Sequence, residues 1–176
     1  MNDRSYPLSV FSTAYKDPTS FNETPSCQTT IFQYEKFHIE WAQQVAHLYN
    51  RDQGVVWIGS NATLVCNREG YELIPVKNRE GIELTHRAQL VGPFEDGGIR
   101  DHATNWGECI RNKSIQTNSP VEKGAFATIL AHMGNISYLT QTKVVYDPKT
   151  KKFINNPQAD AYVKPPYHNG WEFPGI

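Results

Sequence analysis

Apolar residues recur with helical spacing over one long stretch, Asp96–Tyr138, which predicts two helices joined by a short turn. In the first helix four residues follow one another at the spacing that aligns a single apolar face, Ile99, Ala103, Trp106 and Ile110. The second helix has an apolar face of its own and, beside it, a face of small residues, Gly124, Ala127, Ala131 and Gly134. Neither helix can bury its apolar face alone, so both are expected to lie on a sheet.

Before the helices, the pattern predicts short strands separated by turn-forming residues, over Leu8–Tyr15, Cys27–Tyr34, Phe37–Ala42, Gly54–Gly59, Ala62–Cys66, Tyr71–Val76 and Ile82–Val91. In the third of these, Phe37, Ile39 and Trp41 alternate with His38 and Glu40, which predicts one buried face and one solvated face. Asn-Arg-Glu-Gly occurs twice, at residues 67–70 and 78–81, and suits hairpin turns. After the helices, Lys143–Tyr146 and Phe153–Ile154 predict one more hairpin, and Pro157–Tyr162 a single helical turn.

Strands that are grouped before the helices, rather than alternating with them, favour the α+β class. We expect a largely antiparallel or mixed open β-sheet with the two main helices packed on one face. The other face is either solvated or covered by a partner. A chain of 176 residues suits one domain over residues 1–176.

Composition narrows the function classes. The net charge of −1 offers no electrostatic footprint for nucleic acid or an anionic membrane. No apolar run is long enough to span a bilayer, and the first ten residues lack the apolar core of a signal peptide. The compartment stays open between cytoplasm and periplasm. Three widely spaced cysteines, Cys27, Cys66 and Cys109, favour buried free thiols over disulfides or a zinc site.

Few residues are candidates for chemistry. His38 and Glu40 could ligate a metal from one strand face, but no third ligand can be placed, so a solvated face is favoured. His102 lies near the N-terminus of the first predicted helix and could face a cleft, although a surface histidine is the commoner arrangement. The sequence has no nucleophile elbow, phosphate-binding loop or dinucleotide fingerprint. Taken alone, the residues indicate a scaffold without a self-contained active site.

Several of these segments together resemble the C-terminal domain of Gfo/Idh/MocA-family oxidoreductases. His102, Asn105, Trp106, Cys109, Ile110 and Arg111 fill the pattern H-x-x-N-[FW]-x-x-C-[IV]-R, and residues 132–138 (HMGNISY) fill H-[LM]-G-N-I-[AS]-Y. Residues 55–68 are similar to F-x-G-x-x-G-x-L-x-x-x-R, with Trp57 for phenylalanine and Ala62 for glycine. Tyr146-Asp147-Pro148 resembles a W-D-P hairpin, with tyrosine for tryptophan.

The resemblance implies a dihydrodipicolinate-reductase-like C-terminal domain that binds substrate and mediates oligomerisation. In such enzymes a separate N-terminal Rossmann domain holds NAD(P) and the catalytic lysine, and that domain is absent from this chain. The resemblance therefore implies no cofactor and no catalytic residue in the chain, a homo-oligomer formed through the open sheet face, and a sugar-like small molecule as substrate. It places the substrate-side residues at Trp41, His47, Tyr49, Arg51 and His102.

Two other functions remain open at this point. The chain could be a stand-alone, non-catalytic module that interacts through its sheet. It could also be a metal-dependent enzyme that uses His38, Glu40 and a remote ligand.

Overall fold

The computed structural model describes residues 6–43, 54–67, 69–91, 98–164 and 169–170. Over this part of the chain the fold is α+β with open antiparallel sheets, as expected from the sequence. In chain order the elements are β1 (Ser9–Tyr15), β2 (Cys27–Gln33), β3 (His38–Gln43), β4 (Gly54–Ile58), β5 (Ala62–Asn67), β6 (Gly70–Pro75), β7 (Ala88–Val91), α1 (Ile99–Arg111), α2 (Val121–Thr140), β8 (Tyr146–Asp147), β9 (Lys152–Phe153) and α3 (Pro157–Asp160).

The chain divides into two compact units. The first combines Met1–Val45 with Val121–Ile176, and the second is Ala46–Pro120. The predicted single domain over residues 1–176 stays a prediction, and each unit is described by itself. No helix within the described residues is long and apolar enough to cross a membrane.

The first unit is built on a sheet with the strand order β1-β2-β3, and α2 packs against β1. Its core joins the apolar side of α2 to the sheet and to the segment that follows the helix, through Val10, Phe32, Met133, Ile136, Val144, Phe153 and Ala159. Val10 and Val144 exchange backbone hydrogen bonds of 2.9 Å, so the chain returns to the outer edge of β1 after α2. The predicted hairpin after the helices is confirmed as the pair β8–β9.

Buried hydroxyl groups join the sheet to α2. The Ser137 hydroxyl accepts the amide N–H of Ser12 at 3.0 Å and donates to the carbonyl of Thr142 at 2.6 Å. On the sheet side, the Ser12 hydroxyl lies 2.9 Å from that of Thr30 and accepts from the Gln28 amide at 2.8 Å. Because buried polar groups are costly unless paired, the bond between Ser12 and Ser137 favours one position of α2 over β1.

The predicted buried face of β3 is wrong. All six residues of the strand are exposed, and Trp41 keeps 46% of its surface accessible. Ile39 and Trp41 do share a sheet face with Phe32 and Thr30, their partners on β2. Because α2 packs against β1 and β2 lies between, β3 is left beyond the area that the helix covers.

The second unit contains a sheet with the strand order β4-β5-β6-β7. The second Asn-Arg-Glu-Gly segment forms a turn, in which Asn78 Oδ1 accepts the amide N–H of Ile82. In the first segment, of which Arg68 lies outside the described residues, Asn67 Oδ1 accepts the amide N–H of Gly70. The strand predicted over Ile82–Val91 is shorter than expected and reduces to β7. Lys77 and Glu83 form an isolated antiparallel backbone β-bridge. This pair is shifted by one residue from the register of the β6–β7 pairing, and such a shift bends a strand as a bulge does.

The helix predicted from the spacing of Ile99, Trp106 and Ile110 is confirmed as α1, and these three side chains remain exposed. The three cysteines are free thiols, as expected. Only Cys109 is buried, so the burial predicted for Cys27 and Cys66 is wrong, since each retains partial exposure.

Candidate functional site

The two substrate-side residues that the structure describes lie in different units. Trp41 belongs to β3 in the first unit, and His102 to α1 in the second. His47, Tyr49 and Arg51 lie outside the described residues. The proposed grouping of these five residues therefore stays a prediction.

Trp41 presents its indole on an accessible strand. It lies opposite Thr30 of β2, on the sheet face that α2 covers further along. Thr30 is fully buried, whereas Trp41 is half-exposed. An indole that is held by a strand and still accessible can stack on a ring or donate its N–H to a hydroxyl.

His102 is in the first turn of α1. Its backbone N–H donates to the carbonyl of Gly98 at 3.0 Å, and its side chain is exposed. Gly98 has a left-handed conformation (φ 80°), which turns the chain into the helix without a side-chain penalty. The imidazole is therefore accessible to a ligand from solvent. This exposure agrees with both interpretations made from the sequence, a histidine that faces a cleft and a surface histidine.

One face of the β4–β7 sheet is composed of apolar side chains alone. The pairing registers align two rows across its four strands. We call this the apolar sheet face, and it consists of Val55, Cys66, Tyr71 and Leu90 in one row and Trp57, Leu64, Leu73 and Ala88 in the other. Trp57, Val55 and Leu90 each expose about half of their surface. A contiguous exposed patch of this kind usually marks an interaction site.

The opposite face of the same sheet has a mixed character. It carries Val56, Val65, Glu72 and Gln89 in one row, and Ile58 at the end of β4. Glu72 pairs with Arg87 at 3.3 Å, and both side chains are partly accessible. Charged groups thus occur on this face and not among the eight residues of the apolar sheet face, so the two faces suit different surroundings.

The described residues hold no group of three or more His, Cys, Asp or Glu side chains that could bind a metal ion. His38 and Glu40 do lie on the same face of β3, as the alternation predicts, and both are exposed. Two ligands on an exposed edge strand are too few for a stable site. The described residues therefore offer no support for the metal-dependent alternative.

The displaced pKa values have local structural causes. Hydrogen bonds from the side chain and backbone of Thr19 lower the pKa of Asp17, and bonds within its own turn lower that of Asp147. Burial raises the pKa of Tyr34. It also raises that of Tyr146, which is increased further by neighbouring Tyr6 and Asp147. Each shift belongs to a turn or to packing, so these pKa values indicate no acid–base pair.

Sequence reasoning missed a hollow at the closed end of the β2–β3 hairpin. Its volume is about 420 Å³, and its lining includes Tyr34, Phe37 and His38. The hairpin itself was predicted, but nothing in the alternation of polar and apolar residues indicates a concave surface at its tip.

No protein-family model and no curated protein matches the sequence. Among solved structures, the fold is similar to that of "putative oxidoreductase yvaA from Bacillus subtilis", with a TM-score of 0.56 at 9% sequence identity. The similarity covers 81% of this chain and 46% of the other, so the chain spans about half the length of that protein. At this identity the likeness shows the fold alone.

Proposed function

We propose that the chain is the substrate-binding and oligomerisation domain of an NAD(P)-dependent oxidoreductase of the Gfo/Idh/MocA family, acting on a sugar or polyol derivative. The supporting observation is the likeness of fold to yvaA, described as a "putative oxidoreductase", over 81% of this chain. Because that likeness accounts for 46% of the longer protein, the remaining part of such an enzyme has room for a dinucleotide-binding domain. On this proposal the chain is not catalytically competent alone.

The substrate would contact the residues whose chemistry suits a polyhydroxylated molecule. An accessible indole at Trp41 offers an apolar ring surface, and the imidazole of His102 and the guanidinium of Arg51 offer hydrogen-bond donors to hydroxyl groups. His47 and Tyr49 complete the proposed set. Substrate orientation, rather than acid–base chemistry, is the task of these side chains.

In the oligomer, the apolar sheet face of one copy of the chain would pack against the same face of a second copy. Two copies related by a two-fold axis present the same patch to each other, so one self-complementary surface is enough. Trp57 and Tyr71 supply exposed aromatic side chains of the type that dominates interface energies.

Two titrations of the purified chain test the cofactor and substrate parts of the proposal. Calorimetry with NAD⁺ and with NADP⁺ should give no binding heat, because the nucleotide site lies on another domain. A panel of sugars and cyclic polyols, followed by amide NMR, should perturb Trp41 and His102, and Trp41→Ala should weaken that binding about tenfold. Phe21→Ala, which removes another exposed aromatic side chain outside the proposed set, is the control and should leave the affinity unchanged. Micromolar binding of either dinucleotide by the chain alone would contradict the proposal.

The exposed apolar sheet face also favours a second function, a stand-alone module that interacts through its sheet. The substrate titration separates the two functions. A chain that forms oligomers and binds no member of the panel supports the module, whereas binding at Trp41 and His102 supports the oxidoreductase domain.

A further inference from the structure

The hollow at the tip of the β2–β3 hairpin combines apolar and polar groups on a small concave surface. It is an open depression of about 420 Å³, and it is lined by Ile31, Gln33, Tyr34, Phe37 and His38. This volume is within the range of small-molecule sites, which join a mainly apolar lining to a few convergent polar groups. None of these side chains carries a permanent charge, so the hollow suits a neutral ligand.

Its aromatic part is held in place by the fold. The rings of Tyr34 and Phe37 stack with their centroids 4.5 Å apart and their planes 13° from parallel. The backbone N–H of Tyr34 donates to the carbonyl of Phe37 at 2.9 Å, which closes the turn between them. Tyr34 also packs against the buried core. Phe37 therefore presents a fixed ring, and a ligand that stacks on it loses little conformational freedom of the protein.

The polar part lies on the adjacent strand pair. Gln33 and His38 are directly opposite each other in the β2–β3 register, so their side chains are neighbours. The Ser9 hydroxyl donates to Gln33 Oε1 at 3.3 Å. This bond orients the amide, leaving its Nε2 hydrogens to donate elsewhere. The hollow thus pairs a stacking surface with hydrogen-bond donors.

We propose that this hollow binds a neutral, planar aromatic ring carrying a hydrogen-bond acceptor, of the aryl-amide or phenol class. The ring extends the Tyr34–Phe37 stack as a third layer, and the acceptor receives hydrogen bonds from Gln33 and His38. The site is separate from the proposed substrate contacts, because Trp41 lies on the opposite face of β3 from His38. It can therefore fail or succeed independently of the proposed function.

The test is a titration of the full chain with benzamide, followed by amide chemical shifts. The shifts should be confined to residues around 31–38, with a dissociation constant on the order of 1 mM, as expected for a ligand of about nine heavy atoms. Cyclohexanecarboxamide has the same acceptor on a non-planar ring and should bind roughly tenfold more weakly, because it loses the stacking.

Variants identify the two halves of the site. Phe37→Leu should abolish the preference for the planar ligand, and Gln33→Leu should weaken benzamide binding severalfold while retaining that preference. Glu35→Gln, in the same turn but outside the lining, is the control and should bind as the original chain does. Far-UV circular dichroism establishes that each variant is folded. Equal affinity for the two ligands, the absence of shifts near residues 31–38, or a Phe37→Leu variant that keeps the preference would overturn the proposal.

Discussion

Gly134 is a residue at which α2 comes close to the sheet. A Cβ atom placed there would lie 3.1 Å from both Cγ2 and Oγ1 of Thr30, which is fully buried. Gly134→Val should therefore lower the free energy of unfolding by about 1–3 kcal/mol through overpacking. Urea denaturation followed by circular dichroism measures this change.

Gly124 offers the matched control on the same helix. A Cβ there meets no neighbouring atom, so Gly124→Ala should raise the free energy of unfolding by up to about 1 kcal/mol through helix propensity. If Gly134→Val were as stable as the original chain, α2 would have to lie further from β2 than the structure places it.

The small-residue face of α2 shows how far single residues can be predicted from the sequence. The spacing of Gly124, Ala127, Ala131 and Gly134 predicts that a backbone can approach this face. Only Gly134 is buried, and the other three are exposed. Which of the four residues contacts the sheet depends on the position of the helix along its axis relative to the strands. The periodicity of the sequence carries no information about that position.

At the scale of elements, Ser137 is the polar link between α2 and β1. Replacing it with alanine leaves the buried amide N–H of Ser12 without its acceptor. Because an unsatisfied buried donor costs about 1–3 kcal/mol, Ser137→Ala should lower the free energy of unfolding by that amount.

Thr128→Ala provides the control for Ser137→Ala. Its hydroxyl donates to Gly124 O on the exposed side of the same helix, so its loss should change stability by less than about 0.5 kcal/mol. Chemical denaturation of the two variants side by side checks the difference, and equal effects would mean that the buried network does not hold α2 in place.

The β8–β9 turn should make stability depend on pH. Asp147 accepts the backbone N–H of Lys149 and the hydroxyl of Thr150, each at 2.9 Å, and these bonds lower its pKa. A carboxyl whose pKa is lowered by folding stabilises the folded state at pH values above its unfolded pKa of about 3.9. That stabilisation is lost as the pH falls through the pKa of the carboxyl in the folded state. Asp147→Asn should therefore lose less stability than the original chain between pH 6 and pH 3.

Urea denaturation midpoints at the two pH values measure the effect of Asp147. Thr150→Val removes one of the two donors and should have an intermediate pH dependence. An Asp147→Asn variant with the same acid sensitivity as the original chain would show that other groups account for it.

Most elements could be predicted because their signals are local. The turn-forming residues that bound β1 and β2, the asparagine turns and the two long helices all follow from neighbours within a few residues. The exposure of β3 and the register shift before β7 could not be predicted in the same way. Both depend on which strand a distant helix covers and on pairing between strands, and these are properties of the tertiary structure.

At the scale of the whole molecule, the α+β class with open sheets follows from the order of strands and helices. The division of the strands between two units does not follow from that order, because the alternation within a strand is the same whichever neighbour the strand pairs with. The candidate site shows the same limit. The sequence singled out Trp41 and His102, but their relation to one another depends on long-range geometry that spacing along the chain does not contain.

The apolar sheet face allows the proposed oligomer to be tested with two adjacent residues of one strand. Trp57 lies on that face and Ile58 on the opposite one, and both are exposed. The purified chain should be a dimer in light scattering. Trp57→Glu should bury an unpaired charge in the interface and so weaken the binding free energy of the dimer by at least about 2 kcal/mol. This loss raises the dissociation constant of the dimer roughly 30-fold.

Ile58→Glu places the same charge one residue further along and should leave the dimer intact, because that side chain stays in solvent. A monomeric original chain, or a dimer that Ile58→Glu weakens as much as Trp57→Glu does, would contradict assembly through the apolar sheet face. If dilution dissociates the Trp57→Glu variant and not the Ile58→Glu variant, the contact between copies lies on the two rows that contain Trp57 and Tyr71.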